Sequence, residues 1–298
     1  TVSPPTPYDR AHKLRLAFGN GLRQDVWQPF KDRFALDTII ELYGATEGIG
    51  ATVNVSRNTF SRGAIGRTAL ISGIINNMGQ ALLKFDHEAD EPLRDPKTGL
   101  CTRSAYNEPG EFVAKLDAKA IKDKFLGYLG NEKATNSKIL RDVFQKGDAW
   151  YRTGDLLRQD SEGRLWFVDR IGDTFRWKGE NVSTAEVSEA LGSHPAVREA
   201  NVYGVTLPGH DGRAGCAALL LRDGQTLDDS LRRDLAAHVR KQLPKYAVPL
   251  FLRLVKGELE ITGTVKQTKV QLRNEGVDPE QVGEDEVLWL PTQESYEP

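Results

Sequence analysis

The sequence predicts an α/β region and a twisted sheet or small barrel, followed by a compact α+β unit. Three observations carry this. A strand–glycine–helix–strand–glycine rhythm runs through residues 14–44. Short strand-like runs broken by turns fill residues 61–169. Beyond Arg170 a helix-capping signal sits among longer apolar strands. The expected division is therefore into parts 1–169 and 170–298.

Residues 1–10 are polar and proline-rich and read as a linker. Residues 14–18 alternate as a short strand that stops at Gly19-Asn20-Gly21. Val26, Trp27, Phe30 and Phe34 recur at helical spacing, which predicts an amphipathic helix over 24–34. Residues 38–43 form a buried-strand pattern ending at Gly44. Residues 63–72, 80–85 and 111–116 read as strands, and the polar stretch 88–98 as a loop. Residues 155–160 and 164–169 flank Ser161-Glu162-Gly163 as a β-hairpin. Ser183-Thr184-Ala185-Glu186 is a capping box for a helix ending near Gly192. Residues 197–205 and 214–221 are strands, and Leu227, Leu231, Leu235 and Val239 form a helical stripe stopped by Pro244.

A chain of 298 residues has room for about two domains. Its 40 basic and 42 acidic side chains leave a net charge of −2, without the basic excess of a nucleic-acid binder. Its longest apolar stretches, such as 217–221, fall far short of the roughly 20 residues of a membrane span. Cys101 and Cys216 are the only cysteines, which excludes a disulfide framework and a cysteine-rich zinc site.

Several strings carry chemistry. Tyr43-Gly44-Ala45-Thr46-Glu47-Gly48 follows directly on an apolar strand. Glycines let the backbone approach a ligand, Thr46 can bond a phosphate oxygen, and Glu47 offers Mg²⁺ a hard oxygen. Read alone, the string also fits a polar turn. Tyr151-Arg152-Thr153-Gly154-Asp155 precedes the hairpin, and Arg170 lies at its far end. Asp155 can accept bonds from both hydroxyls of a ribose, with Arg170 adding charge-assisted bonds. A structural Asp–Arg pair across the hairpin fits the same spacing. Trp177-Lys178-Gly179-Glu180-Asn181-Val182 is a turn leading into the capping box, and Ile261-Thr262-Gly263-Thr264-Val265-Lys266 presents a lysine. Arg232, Arg233, His238, Arg240 and Lys241 share one helix, as a solvated face or as a contact for phosphates or anionic lipid.

Taken in order, these strings resemble the motifs of the adenylate-forming superfamily of acyl-CoA synthetases, peptide-synthetase adenylation domains and luciferases. Gly19-Asn20-Gly21-Leu22-Arg23, Ala134-Thr135-Asn136-Ser137-Lys138, the run from Asp169 to Val187 and the string ending Lys266-Gln267 narrow the resemblance to the very-long-chain acyl-CoA synthetase and fatty acid transport protein family. It covers residues 12–279 and implies the carboxy-terminal part of a large adenylate-forming domain followed by a small mobile domain. The cofactors implied are ATP/AMP, Mg²⁺ and coenzyme A. Tyr43 would stack on adenine, with Gly19, Asn20, Gly21, Gly44 and Ala45 lining the same pocket. Thr46 would contact phosphate, and Glu47 would hold Mg²⁺. Asp155 would bind the ribose, with Arg170 beside it. Gly179 would let the pantetheine arm of CoA pass, and Lys266 would be the catalytic lysine of adenylation.

Two departures stand out. No segment between Thr1 and Thr46 resembles the superfamily's Gly/Ser/Thr-rich phosphate loop ending in lysine. The hinge position two residues after the arginine, usually Asp or Lys in the superfamily, is Gly172 here, with Asp173 next. The resemblance implies an ATP-dependent long- or very-long-chain fatty acyl-CoA ligase, with fatty acid and CoA as substrates and no nucleic-acid partner. Its rivals are a fatty acid uptake protein acting without catalysis and an adenylation domain loading a carrier protein. The chain reads as the carboxy-terminal portion of a longer, membrane-associated intracellular enzyme whose anchor lies upstream. On this reading the 298-residue chain alone is nearly inactive as a ligase, since the β- and γ-phosphates lose their backbone cradle. Robust acyl-CoA synthesis by the purified chain would overturn the fragment reading.

Overall fold

The computed structural model describes residues 4–22, 24–44, 50–67, 79–87, 89–257, 259, 269–291 and 295–297. The chain divides into two compact units, Ser3–Ile171 and Gly172–Pro298.

In the first unit, β1 (Leu16–Gly19) and β2 (Thr38–Tyr43) run parallel, and β3 (Thr52–Ser56) returns antiparallel to β2. Parallel neighbours need a crossover, and α1 (Gln24–Arg33) supplies it, with Trp27 fully buried. The opening segment is tied down rather than a free linker. Asp9 pairs with Arg33 at 2.7 Å, Arg33 Nη2 donates to the Pro4 carbonyl, and Arg10 Nη2 donates to the Asp32 carbonyl at the carboxyl end of α1. Arg10 there satisfies carbonyls that the helix leaves open.

The second sheet of this unit is open. Its order is β4 (Gly66–Arg67), β11 (Arg164–Arg170), β10 (Ala149–Gln159), β8 (Gly110–Leu116) and β5 (Gln80–Leu83), with β9 (Ile139–Arg141) also on β10. Of the stretch 63–72, only Gly66–Arg67 pairs among the described residues. The polar stretch 88–98 is not wholly loop, because β7 (Glu91–Pro92) pairs with β6 (Phe85–Asp86). Between β8 and β9 lie two short helices, α2 (Ile121–Lys124) and α3 (Glu132–Ser137). Tyr43, Ile65, Phe112, Leu157 and Leu165 form one buried cluster, which brings the end of β2 against β8, β10 and β11.

The second unit opens with a hairpin of β12 (Phe175–Trp177) and β13 (Glu180–Val182). Helix α4 (Thr184–Gly192) starts at the capping box, where Ser183 Oγ accepts the Glu186 N–H. Four strands follow in the order β14 (Val197–Val205), β15 (Ala214–Leu221), β16 (Phe251–Leu254) and β17 (Glu286–Trp289). Strands β15 and β16 are parallel, with α5 (Asp229–Gln242) in the connection. The apolar stripe of α5 buries Leu235 and Val239, while Leu227 is buried just before the helix, which Asp228 caps. Helix α6 (Val270–Glu275) holds the start of the unit. Arg273 donates to the Gly172 carbonyl at 2.7 Å, and Asp173 pairs with Lys269 and Arg273.

One buried group makes the first unit sensitive to pH. Glu41 on β2 is 2% exposed, and burial pushes its carboxyl up to about 7; the Trp27 indole beside it is too weak to offset this. The folded state therefore holds this proton through a range in which the unfolded chain has released it. Stability should fall as pH rises from about 4.5 towards 7, and the loss is complete above that. Glu41→Gln should flatten this slope and raise the melting temperature at pH 8. An identical pH dependence of unfolding in the variant would remove Glu41 as the cause.

Candidate functional site

Strands β1 and β2 point their carboxyl ends the same way, the edge at which open parallel sheets receive ligands. Gly19 closes β1 and Tyr43 closes β2, so Gly19, Asn20, Gly21, Tyr43 and Gly44 share that edge. Gly21 has φ +75°, a conformation suited to glycine. The Tyr43 ring stands edge-on to Phe112 with centroids 5.7 Å apart. Its hydroxyl donates to Asp155 Oδ2 at 2.6 Å, across 112 residues of sequence. Burial, and then the Asp155 charge, push the phenol far above its ordinary pKa, so it stays a donor.

Asp155 reaches this place through a break in β10. The strand is longer than the hairpin arm expected, and Tyr151-Arg152-Thr153-Gly154-Asp155 lies inside it rather than ahead of it. Pairing with β8 runs from Ala149 to Arg152, is interrupted, and resumes at Leu156. Gly154, with φ +78°, sits in this bulge. Across the hairpin Asp155 is opposite Arg170, whose Nε lies 3.8 Å from Asp155 Oδ1. Asp155 is 18% exposed and Arg170 47%, so this edge of the pair faces solvent.

Beneath the bulge lies a residue that sequence reasoning passed over as strand. Glu111 is fully buried, and its carboxylate takes two nitrogens of Arg152 at 2.9–3.1 Å. Burial pushes its carboxyl up, while Arg152, the Lys138 charge and the Gly154 N–H pull the other way. The one signal in the sequence is a Gly-Glu start to a strand that is apolar but for Lys115.

The remaining candidates are spread more widely. Ala45, Thr46, Glu47 and Lys266 lie outside the described residues. Among those described, no group of three or more His, Cys, Asp or Glu is placed to hold a metal ion. Gly179 belongs to the second unit, in the two-residue turn between β12 and β13. There Lys178 has φ +52° and Gly179 φ +83°, the pattern of a type I′ turn. A Cβ on Gly179 would meet nothing within 4 Å, so the turn and not crowding calls for glycine. Of the basic residues on α5, Arg232 is engaged by Asp229 and Glu286. His238 Nε2 lies 3.0 Å from the Ala190 carbonyl and 2.9 Å from Ser193 Oγ.

Residues 186–266 match the AMP-binding enzyme C-terminal domain. The chain is 47% identical over 289 residues to the very long-chain fatty acid transport protein of Cochliobolus heterostrophus, covering 97% of this chain and 44% of that protein. The chain belongs to the adenylate-forming superfamily, in its fatty acid transport and acyl-CoA ligase family. This member is also 42% identical to isopenicillin N epimerase component 1 of Hapsidospora chrysogena, covering 97% of the chain and 48% of that relative. It thus spans about half the length of the curated relatives it matches. The anthranilate CoA ligase AuaEII, solved with anthranoyl-AMP, shares its fold with a TM-score of 0.64 at 24% identity, over 88% of this chain and 44% of that one.

Removing one partner of a buried ion pair strands the other charge away from water. Glu111→Ala should therefore destabilise the first unit of this family member by about 3–5 kcal/mol. Urea denaturation measures this. An unchanged midpoint would mean that Arg152 needs no buried partner.

Proposed function

We propose that the protein activates long- or very-long-chain fatty acids with ATP, forming an acyl-adenylate and then acyl-CoA. The observation that carries this is the convergence of Tyr43, Asp155 and Arg170 at the carboxyl edge of the parallel strands. That donor set fits a nucleotide. A solvent-facing carboxylate suits ribose hydroxyls, which donate, and a half-exposed arginine beside it suits ribose or phosphate oxygens. Tyr43 holds Asp155 from behind and is assigned the adenine side of the pocket, with Gly19, Asn20, Gly21, Gly44 and Ala45 lining it. Thr46 is assigned to phosphate and Glu47 to Mg²⁺, which would supply charge neutralisation when a fatty carboxylate meets the α-phosphate. The bare backbone at Gly179 leaves room for a pantetheine arm.

Lys266 is assigned to the first half-reaction, its ammonium bringing the two anions together. The second unit then turns about Gly172, where the chain passes from one compact unit to the other, and presents Gly179 to CoA. Membrane association of the full-length protein belongs to the same reading. Among the described residues no helix is long and apolar enough to cross a membrane. A second reading keeps the chemistry and changes the acid. It is favoured by the 42% identity to a relative named for isopenicillin N epimerisation, and a panel of carboxylic acids separates the two.

Lys266→Ala in the full-length protein should lower acyl-adenylate formation, read as pyrophosphate release, by roughly 10² or more. Thioester formation from supplied acyl-adenylate and CoA should stay largely intact. Equal loss of both halves would make Lys266 structural, and loss of neither would refute its assignment.

A further inference from the structure

The string Ala134-Thr135-Asn136-Ser137-Lys138 has no role assigned to it in the nucleotide site, yet its last residue folds against that site. Asn131 caps α3 by accepting the Ala134 N–H, Ser137 Oγ donates to the Ala134 carbonyl, and the Lys138 N–H donates to the Thr135 carbonyl. The chain then enters β9, which pairs with β10. At that junction Lys138 grips β10 twice. Its carbonyl accepts the Arg152 N–H at 2.8 Å, and its ammonium donates to the Thr153 carbonyl at 3.1 Å. A Cβ placed on Gly154 would stand 3.2 Å from the same Nζ, so the ammonium lies directly against the bulge.

A bulge takes backbone groups out of the ladder, and each must find another partner. Here the partners can be named. The Thr153 carbonyl is held by Lys138. The Gly154 carbonyl is held by the Ile171 N–H at 2.9 Å. The Asp155 N–H reaches Thr153 Oγ1 at 3.1 Å, and that hydroxyl donates to the Phe112 carbonyl at 2.7 Å. Lys138 alone supplies its tie from a flexible, charged side chain outside the paired strands that form the bulge.

We propose that Lys138 is a positioning residue for the nucleotide site, its ammonium holding the Thr153 carbonyl so that the bulge presents Asp155 beside Tyr43 and Arg170. This rests on the reading of Asp155 as the ribose-binding carboxylate. On this proposal Lys138 does not touch the nucleotide. It acts through the backbone between them.

The test uses the full-length protein with Lys138→Met, Lys138→Arg and Asp155→Asn, scored by KM for ATP, KM for fatty acid, kcat and melting temperature. Lys138→Met should raise KM for ATP roughly tenfold, the order expected from losing one charge-assisted hydrogen bond. KM for fatty acid and the melting temperature should hold, and Lys138→Arg should recover most of the ATP effect. If Asp155→Asn raises KM for ATP and Lys138→Met does not, the inference is wrong and the nucleotide reading stands. If neither raises it, the reading of Asp155 falls and takes the inference with it. If both Lys138 variants shift every parameter together, melting temperature included, Lys138 is a fold residue only and the inference is likewise overturned.

Discussion

A carboxylate sealed away from water keeps its charge only where hydrogen bonds and an opposite charge replace the lost solvent, and Glu111 is such a group. Its two-nitrogen contact with Arg152 pins β8 to β10 across the register break, joining the residue opposite Leu156 to the residue opposite Val113. Gly154, at positive φ inside the break, lends its N–H dipole to the same carboxylate. The bulge is therefore anchored from below by a group that has nowhere else to go. Asp155 emerges from it at one place, opposite Arg170 and within reach of Tyr43.

The other side of the site is set by the small mixed sheet. Tyr43 is the last residue of β2, and its ring belongs to the buried cluster with Phe112, Leu157 and Leu165. That packing orients the hydroxyl towards Asp155 while the parallel β1–β2 pair leaves its carboxyl edge for Gly19 to Gly21. Apolar burial thus aims a polar group. Tyr43, Asp155 and Arg170 come from three strands in two sheets, so their mutual placement depends on both sheets being packed.

The second unit is organised round its own core and its own buried charge. Arg253, 5% exposed, lies between Asp285 at 2.6 Å and Glu275 at 2.7 Å, which ties β16 to α6 and to the loop before β17. Gly172 and Asp173 are bound to α6. The start of the unit is thus secured to its own helix, which suits rotation as one body in the proposed reaction cycle.

Sequence alone determined the elements whose signals are local. The capping box at Ser183, the runs over Val197–Val205 and Ala214–Leu221, and the stripe on α5 are all read from residues within a few positions of each other. It also supplied Tyr43, Asp155 and Arg170 as a candidate set. What the tertiary structure alone decided are contacts whose partners are far apart along the chain. Glu111 and Arg152 are 41 residues apart, and Tyr43 and Asp155 are 112 apart. The opening residues read as linker because nothing near them announces Arg33 as the partner of Asp9. The bulge in β10 was hidden for the same reason. A register break is a property of two strands, and a lysine that repairs it comes from a third segment that no periodicity connects to either.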